Sequence, residues 1–538
     1  MVEQHKVKLS FLAIAILLLI NNWSIPLWDQ DESAYAGFAF NMIEQHNWLV
    51  PDFPFSDVHR KPPLHFWNIA VFNKVFGYNT FAVRFSSVLA VLGTLLLLYF
   101  QGRKFFSERK ALIAVWILSG SFLVTAIAKV AVTDAAVLFF STLCAFGLLN
   151  VLHFKSKSWI FWFWLGIGAG VLVKGPPVLM FAGMFGLLLL LFHPKRWNLI
   201  QLHPWFFLPI SLLPFAYWAY LTYQHDGGVF LNWMLDWYVF KRIDGHVFGQ
   251  TGPVGMHLLG LFAFFVLFIR FIPLAIWNGL RAAMRKDNAL LITALWWIAG
   301  WFFYEFSPSK LPAYVIAAHV PFAIFLAHQI AGYYAENKSS RVFSIVQFFI
   351  FYSLSLGLIS AQFVVEIPAV LGNTLLILGV YVFLWTSILF WKLKSEYYKR
   401  IHLLGAFVFV LLAWTLAPWA TNAVNSSKRI ADYFQSNDEK VQVVIATNYG
   451  NQPSLPYYLM IQGFQVSDKT KVPIEEIVNE YADNRNTGFV LSREQFDYFC
   501  QFFHIDLPHK HVQTLMIDRK GTTDYFIVLS SDLPFTRP

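Results

Sequence analysis

The sequence predicts an α-helical polytopic membrane protein of about 13 transmembrane helices, followed by a small C-terminal extracytoplasmic α/β domain. Three observations carry that prediction. The 538 residues are 57% hydrophobic and 19% aromatic but only 13% charged, a balance that a soluble protein of this length does not have. Apolar runs of about 20 residues recur along the chain, and that is the length a helix needs to cross a bilayer. The composition turns polar and mixed at Asn422.

The runs fall at 8–24, 82–100, 111–129, 133–153, 158–173, 176–192, 204–222, 256–275, 288–305, 311–333, 342–364, 368–391 and 402–421. Basic residues cluster in alternate loops. These are Lys6 with Lys8, Arg103-Lys104 with Arg109-Lys110, Lys155 with Lys157, Lys195-Arg196, Arg281 with Arg285-Lys286, Lys338 with Arg341, and Lys392 through Lys399-Arg400. Basic loops are retained in the cytoplasm, so the N-terminus is expected inside and the C-terminus outside. This distribution also accounts for the net charge of +9 without nucleic acid as a partner. The first run follows Lys6 and Lys8 with no small-residue cleavage site after it, which reads as a retained anchor. Cys144 lies in an apolar run and Cys500 in the polar region, so neither a disulfide nor a cysteine-ligated metal is expected.

The outer segments are then 25–81, the turn at Asp134, Lys174 to Pro177, 223–255, Ser307 to Lys310, and the tail 422–538. Segment 25–81 holds two aromatic, amphipathic stretches. One runs from Ser33 to Gln45; the other follows Pro62-Pro63, where proline suits a helix start, and reaches Phe76. Both are expected to lie in the interface plane. In the tail, Val441 to Ala446 and Thr523 to Leu529 read as buried strands. Ser427 to Gln435, Glu475 to Ala482 and Arg493 to Phe502 read as helices.

Chemistry concentrates on this outer side. Asp29-Gln30-Asp31-Glu32 follows the first run, and Asp134 opens another. Acids at membrane mouths are costly to keep and mark sites by default. A carboxylate beside an apolar interface tends toward a raised pKa and suits a general base on a hydroxyl. Capping a helix start is the competing role at both positions, and Lys129 is a candidate to neutralise Asp134. Asp29-Gln30-Asp31 also spells the D-x-D pattern of metal-dependent nucleotide-sugar enzymes. It faces the side where nucleotide sugars are not supplied, so no metal is assigned. Lys61 opens the second interfacial helix, and a cation at a helix N-terminus suits a phosphate. Lys174, Lys241-Arg242 and Lys310 offer the same, with snorkelling as the alternative. Arg270 and Glu305, near span ends, read as snorkelling residues. Among the outer histidines His59, His65, His246 and His257, none has zinc-helix spacing, and His246 suits a site. A transporter or lipid flippase would place charge near the bilayer midplane, on broken helices. Nearly every span here lacks acids in its interior, so an enzyme is the leading class. A receptor or scaffold leaves the outer motifs unexplained.

The outer motifs together resemble the GT-C superfamily of integral membrane glycosyltransferases. The nearest branch holds the polyprenyl-phosphate aminoarabinose transferases and the dolichyl-phosphate-mannose protein mannosyltransferases. The resemblance rests on Asp31-Glu32 with Tyr35, Lys61-Pro62-Pro63-Leu64 with Trp67, Phe81-Ala82-Val83-Arg84, and Val132-Thr133-Asp134. It continues through Gly170 to Pro176, Arg242, and Ser309-Lys310-Leu311-Pro312 with Tyr314, so that it covers residues 8 to 333. It implies a GT-C transmembrane domain over 1–421 and a periplasmic domain over 422–538. It implies a bacterial inner-membrane, multi-pass glycosyltransferase taking a hexose or pentose from a polyprenyl-phosphate donor. The acceptor would be an extracytoplasmic glycolipid, glycan or protein, and transfer would invert the anomeric carbon. Asp31 would be the catalytic acid/base, with Asp134 and Glu32 assisting. Lys61 and Arg242 would hold the donor phosphate, supported by Lys174 and Lys310, and Tyr35, Arg84 and His246 would contact substrate. No cofactor is required. Arg60 stands where the aminoarabinose branch has an acid serving a metal-linked site, which argues against a bound divalent metal and against that branch's specificity. Protein O-mannosylation is the alternative within the superfamily.

Overall fold

The computed structural model describes residues 2–28, 31–56, 60–241, 251–285, 287–336, 341–364, 367–393, 397–437, 441–446, 453–469, 472–481, 486–504, 506–516 and 521–529. Asp29, Gln30, His59, Arg242 and His246 lie outside them.

The apolar runs form helices. They begin with α1 (Val2–Leu19), α4 (Thr80–Phe105), α5 (Glu108–Ser119), α6 (Phe122–Lys129), α7 (Asp134–Phe154), α8 (Lys157–Lys174), α9 (Pro177–Phe192) and α10 (Pro204–Asp226). Between α1 and α4 lie α2 (Asp31–Glu44) and α3 (Leu64–Phe76); after α10 comes the short α11 (Val229–Leu235). The second half of the membrane domain adds α12 (Met256–Phe264), α13 (Ile272–Met284), α14 (Asn288–Glu305), α15 (His319–Glu336), α16 (Arg341–Val364), α17 (Ala369–Trp391) and α18 (Tyr398–Val424).

Among the described residues, seven helices are long and apolar enough to cross a membrane, or eight if α5 and α6, bent by 65°, form one broken span. Others of the expected spans are shorter or interrupted. The run at 256–275 is not one helix: α12 stops at Phe264, a 3-10 turn takes Val266–Phe268, and α13 starts at Ile272. Arg270 at this break is 2% exposed and lies over the Tyr398 ring, so it does not snorkel as expected.

Local signals set the ends that matter for the site. Asn79 caps α4, its side chain accepting the Ala82 amide at 2.9 Å. Gly175 ends α8 at φ 81°, a conformation that favours glycine, and leaves Lys174 at the helix terminus.

The C-terminal region contains α19 (Ser426–Asn437), α20 (Ser454–Ile461), α21 (Ile474–Tyr481) and α22 (Arg493–Phe503) around a five-stranded sheet. Its strands are β1 (Val443–Ala446), β2 (Gln465–Asp468), β3 (Thr487–Ser492), β4 (Lys510–Met516) and β5 (Gly521–Leu529), in the order β2-β1-β3-β5-β4. β1 runs parallel to β2 and β3; β5 is antiparallel to β3 and β4. Successive strand residues point to opposite faces. Ile445, Phe489, Leu491, Phe526 and Val528 therefore pack on α21 and α22. Val444, Ala446, Val490, Tyr525 and Ile527 face the other way, into a core shared with α19, α20, α2 and α3.

That shared core changes the reading of α2. It is expected to be an amphipathic helix with one face toward the membrane, but it is enclosed by protein. From Glu32 to Met42 every residue is buried, between α3 and the C-terminal region. Phe38 and Phe66 there are fully buried, and each such side chain stabilises the packing by roughly 2 kcal/mol. The loop after α2 also closes on it. A Cβ on Gly37 would stand 2.5 Å from the Phe53 ring, so a side chain at 37 would push that loop away.

Candidate active site

The site forms where α2, α3, α7 and α8 begin or end. Asp31 is the first residue of α2, and its side chain is 48% exposed. One turn on, the Tyr35 hydroxyl donates to Asp31 Oδ1 at 3.3 Å. Lys61 Nζ donates to the same Tyr35 hydroxyl and lies 4.0 Å from Asp31 Oδ1. Tyr35 is 1% exposed, and burial, with Asp31 beside it, raises its phenol well above the ordinary range. It therefore stays protonated and serves as a bridge. Tyr35, expected to contact substrate, is here buried and joins Asp31 to Lys61.

Glu32, the neighbouring acid, has a different environment. It is fully buried. Its oxygens accept from Arg84 Nε at 2.7 Å, Arg84 Nη2 at 2.8 Å, the Trp28 amide at 2.7 Å and the Ala131 amide at 2.8 Å. A carboxylate offers about four lone-pair positions, and these donors fill them. Arg84, 1% exposed, spends its remaining donors on the carbonyls of Asn22, Ile25 and Pro26. The expected catalytic role of Glu32 and substrate role of Arg84 do not fit this geometry. The pair is a buried clamp joining α2, α4 and the turn before α7.

Through Ala131 the clamp reaches the second acid. Asp134, in the first turn of α7, accepts a hydrogen bond from Lys174 Nζ at 2.6 Å, with both side chains mostly buried. Lys174, not Lys129, neutralises it. Lys129 points the other way and donates to the carbonyls of Leu18 and Ile20 at 3.2 and 2.7 Å, capping the end of α1.

His65 sits between the two centres. Its Nε2–H donates to the Ala131 carbonyl at 3.0 Å, and its ring packs edge-on against Tyr35 with centroids 5.4 Å apart. It is 2% exposed, and burial pulls its imidazole down to about 4, with Lys61 and Lys174 in the field around it and Asp134 opposing. It is neutral near pH 7. The sequence singles out His65 only as an outer histidine. The signal that finds it is its place one helical turn past Lys61, at the start of a helix facing both acids.

The wall opposite comes from the second long outer segment. Tyr238 lies 5.7 Å from Lys61 Nζ, and Trp233 stands 6.0 Å from the Arg60 guanidinium. Trp218 Nε1 donates to the Leu49 carbonyl at 2.9 Å. Arg60 itself pairs with Asp52 at 3.2 Å. Lys241 pairs with Asp236 at 2.8 Å. Lys310 does not stand open to a donor phosphate as expected. It is 2% exposed at its side chain, donates to the Glu305 carbonyl and lies 3.7 Å from the Glu305 carboxylate. Glu305, equally buried, also accepts the Gly255 amide at 2.7 Å, which rules out snorkelling. With His257 Nε2 at 3.1 Å from the Leu311 carbonyl and the bridge between Thr251 and Ser309, these residues tie down the return of the loop.

The family model of dolichyl-phosphate-mannose-protein mannosyltransferases matches residues 60–220, which include Lys61, Arg84, Asp134 and Lys174. An undecaprenyl phosphate-alpha-4-amino-4-deoxy-L-arabinose arabinosyl transferase of Pseudomonas fluorescens is 26% identical over 57% of this chain and 56% of its own length. That of Erwinia tasmaniensis is 24% identical over 82% of both chains. ArnT from Cupriavidus metallidurans, solved with undecaprenyl phosphate bound, superposes with a TM-score of 0.76 at 16% identity and covers 98% of each chain. At that identity the likeness shows the fold, and it does so over nearly the whole chain.

Proposed function

We propose that this chain, which has the GT-C fold and resembles the aminoarabinose transferases, is a membrane glycosyltransferase using a polyprenyl-phosphate-linked sugar. The observation that carries the reading is a half-exposed carboxylate, Asp31, fixed by a buried Tyr35–Lys61 bridge and facing a second acid–lysine pair across a neutral histidine. An oriented carboxylate accepts a proton from an acceptor hydroxyl as that oxygen attacks the anomeric carbon. The bond from that carbon to the phosphate oxygen breaks, and its electron pair leaves on the polyprenyl phosphate. The transfer is a direct displacement and inverts the centre.

Cations near the departing phosphate stabilise the charge that develops there. Lys61 is the candidate among the described residues, supplemented by Arg242 and His246 in the second outer loop on the strength of the motif. Asp134, held by Lys174, would bound the acceptor side. Undecaprenyl phosphate supports the donor class because it is the lipid of the relatives' names and of the superposed structure. The mannosyltransferase family match favours testing a peptide acceptor alongside lipid and glycan acceptors. We place the chain in a bacterial inner membrane with the site and C-terminal domain on the periplasmic side, on the alternation of basic loops.

The test is turnover of a panel of polyprenyl-phosphate sugars by purified wild type and Asp31→Asn, with membrane extract and peptides as acceptors. Release of polyprenyl phosphate is expected from wild type, reduced roughly 1,000-fold in the folded variant. Equal rates would remove Asp31 from catalysis. Lipid movement in liposomes without any sugar transfer would replace the enzyme by a transporter.

A further inference from the structure

Residues 20–28, on the way to Asp31, form no helix or strand. α1 stops at Leu19 and α2 begins at Asp31. Yet every carbonyl from Asn22 to Trp28 accepts a hydrogen bond. Arg84 holds those of Asn22, Ile25 and Pro26; Thr80 holds Trp23; the Ser33 hydroxyl holds Trp28 at 2.6 Å. The others are held from the far end of the chain. Asn422 reaches the Ser24 carbonyl at 3.5 Å, and Asn425 reaches that of Leu27 at 3.4 Å. The Leu27 amide donates to the Tyr458 hydroxyl at 2.7 Å, a contact between residues 431 positions apart.

Irregular backbone holds one geometry only when its polar groups are bonded throughout. Every carbonyl of this strap is so bonded, and the strap ends three residues before Asp31. Tyr458 is 4% exposed and Leu27 fully buried, so water cannot replace their bond. The Tyr458 oxygen also lies in the field of Arg84, the cation that clamps Glu32. α20, which carries Tyr458, shares its core with α2 and α3.

We propose that Tyr458 is a positioning residue for transfer: the C-terminal domain completes the active site by holding the strap that aims Asp31. The domain is then a fixed wall of the catalytic unit, and the buried Tyr458 hydroxyl, beside Asn422 and Asn425, is one of the groups by which it holds the strap. This rests on the reading of Asp31 as the catalytic carboxylate.

Tyr457 supplies the control. It is fully buried in the same core, and its hydroxyl has no hydrogen-bond partner among the described residues. Tyr457→Phe and Tyr458→Phe remove the same atom from neighbouring positions and leave both rings in place. Both are made in the full-length protein. Amide hydrogen exchange is read on peptides covering 22–35. Turnover is measured per site able to bind undecaprenyl phosphate, so that loss of folded enzyme is divided out.

In Tyr458→Phe the Leu27 amide is expected to exchange about 10-fold faster. Its kcat per binding site should fall about 10-fold with undecaprenyl phosphate affinity within about two-fold of wild type, because a displaced catalytic group costs rate rather than binding. Tyr457→Phe should match wild type in all three. Unchanged exchange in Tyr458→Phe, or faster exchange with unchanged kcat, overturns the proposal. Equal losses in both variants also overturn it, since a general weakening of the core would then suffice. If wild type transfers no sugar from any donor, the functional reading fails instead, and positioning for transfer falls with it; the exchange result then bears on the strap alone.

Discussion

Asp31 and Glu32 are chemically near-identical neighbours, and burial alone separates their roles. Glu32 is fully buried and bonded to a guanidinium and to two backbone amides. Asp31 keeps a half-exposed side chain and meets Lys61 through Tyr35. Of the two, only Asp31 is open to solvent, which is why the proposed proton transfer is assigned to it. His65 adds a titration that can be measured. Its folded value is about 4, against about 6.5 for an unfolded histidine. Between those values the unfolded chain binds the proton and the folded one does not. The histidine's contribution to stability is therefore complete above pH 6.5 and is lost as the pH falls toward 4, on the order of 3 kcal/mol in all. His65→Gln keeps an N–H for the Ala131 carbonyl but does not titrate. Denaturant unfolding of the two proteins should show wild type losing stability relative to the variant only across that window. Parallel curves from pH 7 to pH 4 would mean that His65 is solvated.

The elements around the site are joined by the Glu32–Arg84 clamp, which binds α2 to α4 and to the turn that sets α7. Removing one partner of a buried pair leaves the other charge without compensation and costs about 3–5 kcal/mol. Glu32→Gln and Arg84→Met are each expected to lower the unfolding temperature steeply, and the double variant should be more stable than Arg84→Met alone. A double variant that loses the sum of both would show that the two groups act independently. Much at this scale is readable in the sequence. Strands near 441 and 523 and helices near 427, 475 and 493 follow from local pattern, and β1, β5, α19, α21 and α22 occur there. The motif residues Asp31, Lys61, Asp134 and Lys174 do come together. What local pattern does not carry is which apolar face meets lipid and which meets protein. Both environments select the same residue types, so α2 reads as interfacial while it is in fact enclosed. Partnering is equally hidden. Lys129 lies five residues from Asp134 but caps α1, while Lys174, forty residues away, pairs with Asp134. The contact of Leu27 with Tyr458 has no sequence signal, because it depends on a packing between opposite ends of the chain.

At the scale of the whole molecule, the arrangement in the membrane decides whether the site can meet its donor and acceptor. The alternation of basic loops is an argument from charge, and it makes one prediction for the chain as a unit. The loop with Lys155 and Lys157 belongs to the cytoplasm, and the domain carrying α19 belongs to the opposite side with both acids. Ser158 and Ser436 are both exposed, one beside that loop and one on α19. The native thiols, Cys144 and Cys500, can be replaced so that a single introduced cysteine reports its own side. In intact cells with a permeabilised outer membrane, an impermeant maleimide should label Ser436→Cys and spare Ser158→Cys until the inner membrane is opened. The reverse pattern would put Asp31 and Asp134 in the cytoplasm. There nucleotide sugars are available, and the case for a lipid-linked donor would lose its compartment. Labelling as expected ties the exposed carboxylate to the side where a membrane-borne sugar is the donor at hand. It also places the C-terminal domain, through Tyr458, within reach of the chemistry it is proposed to support.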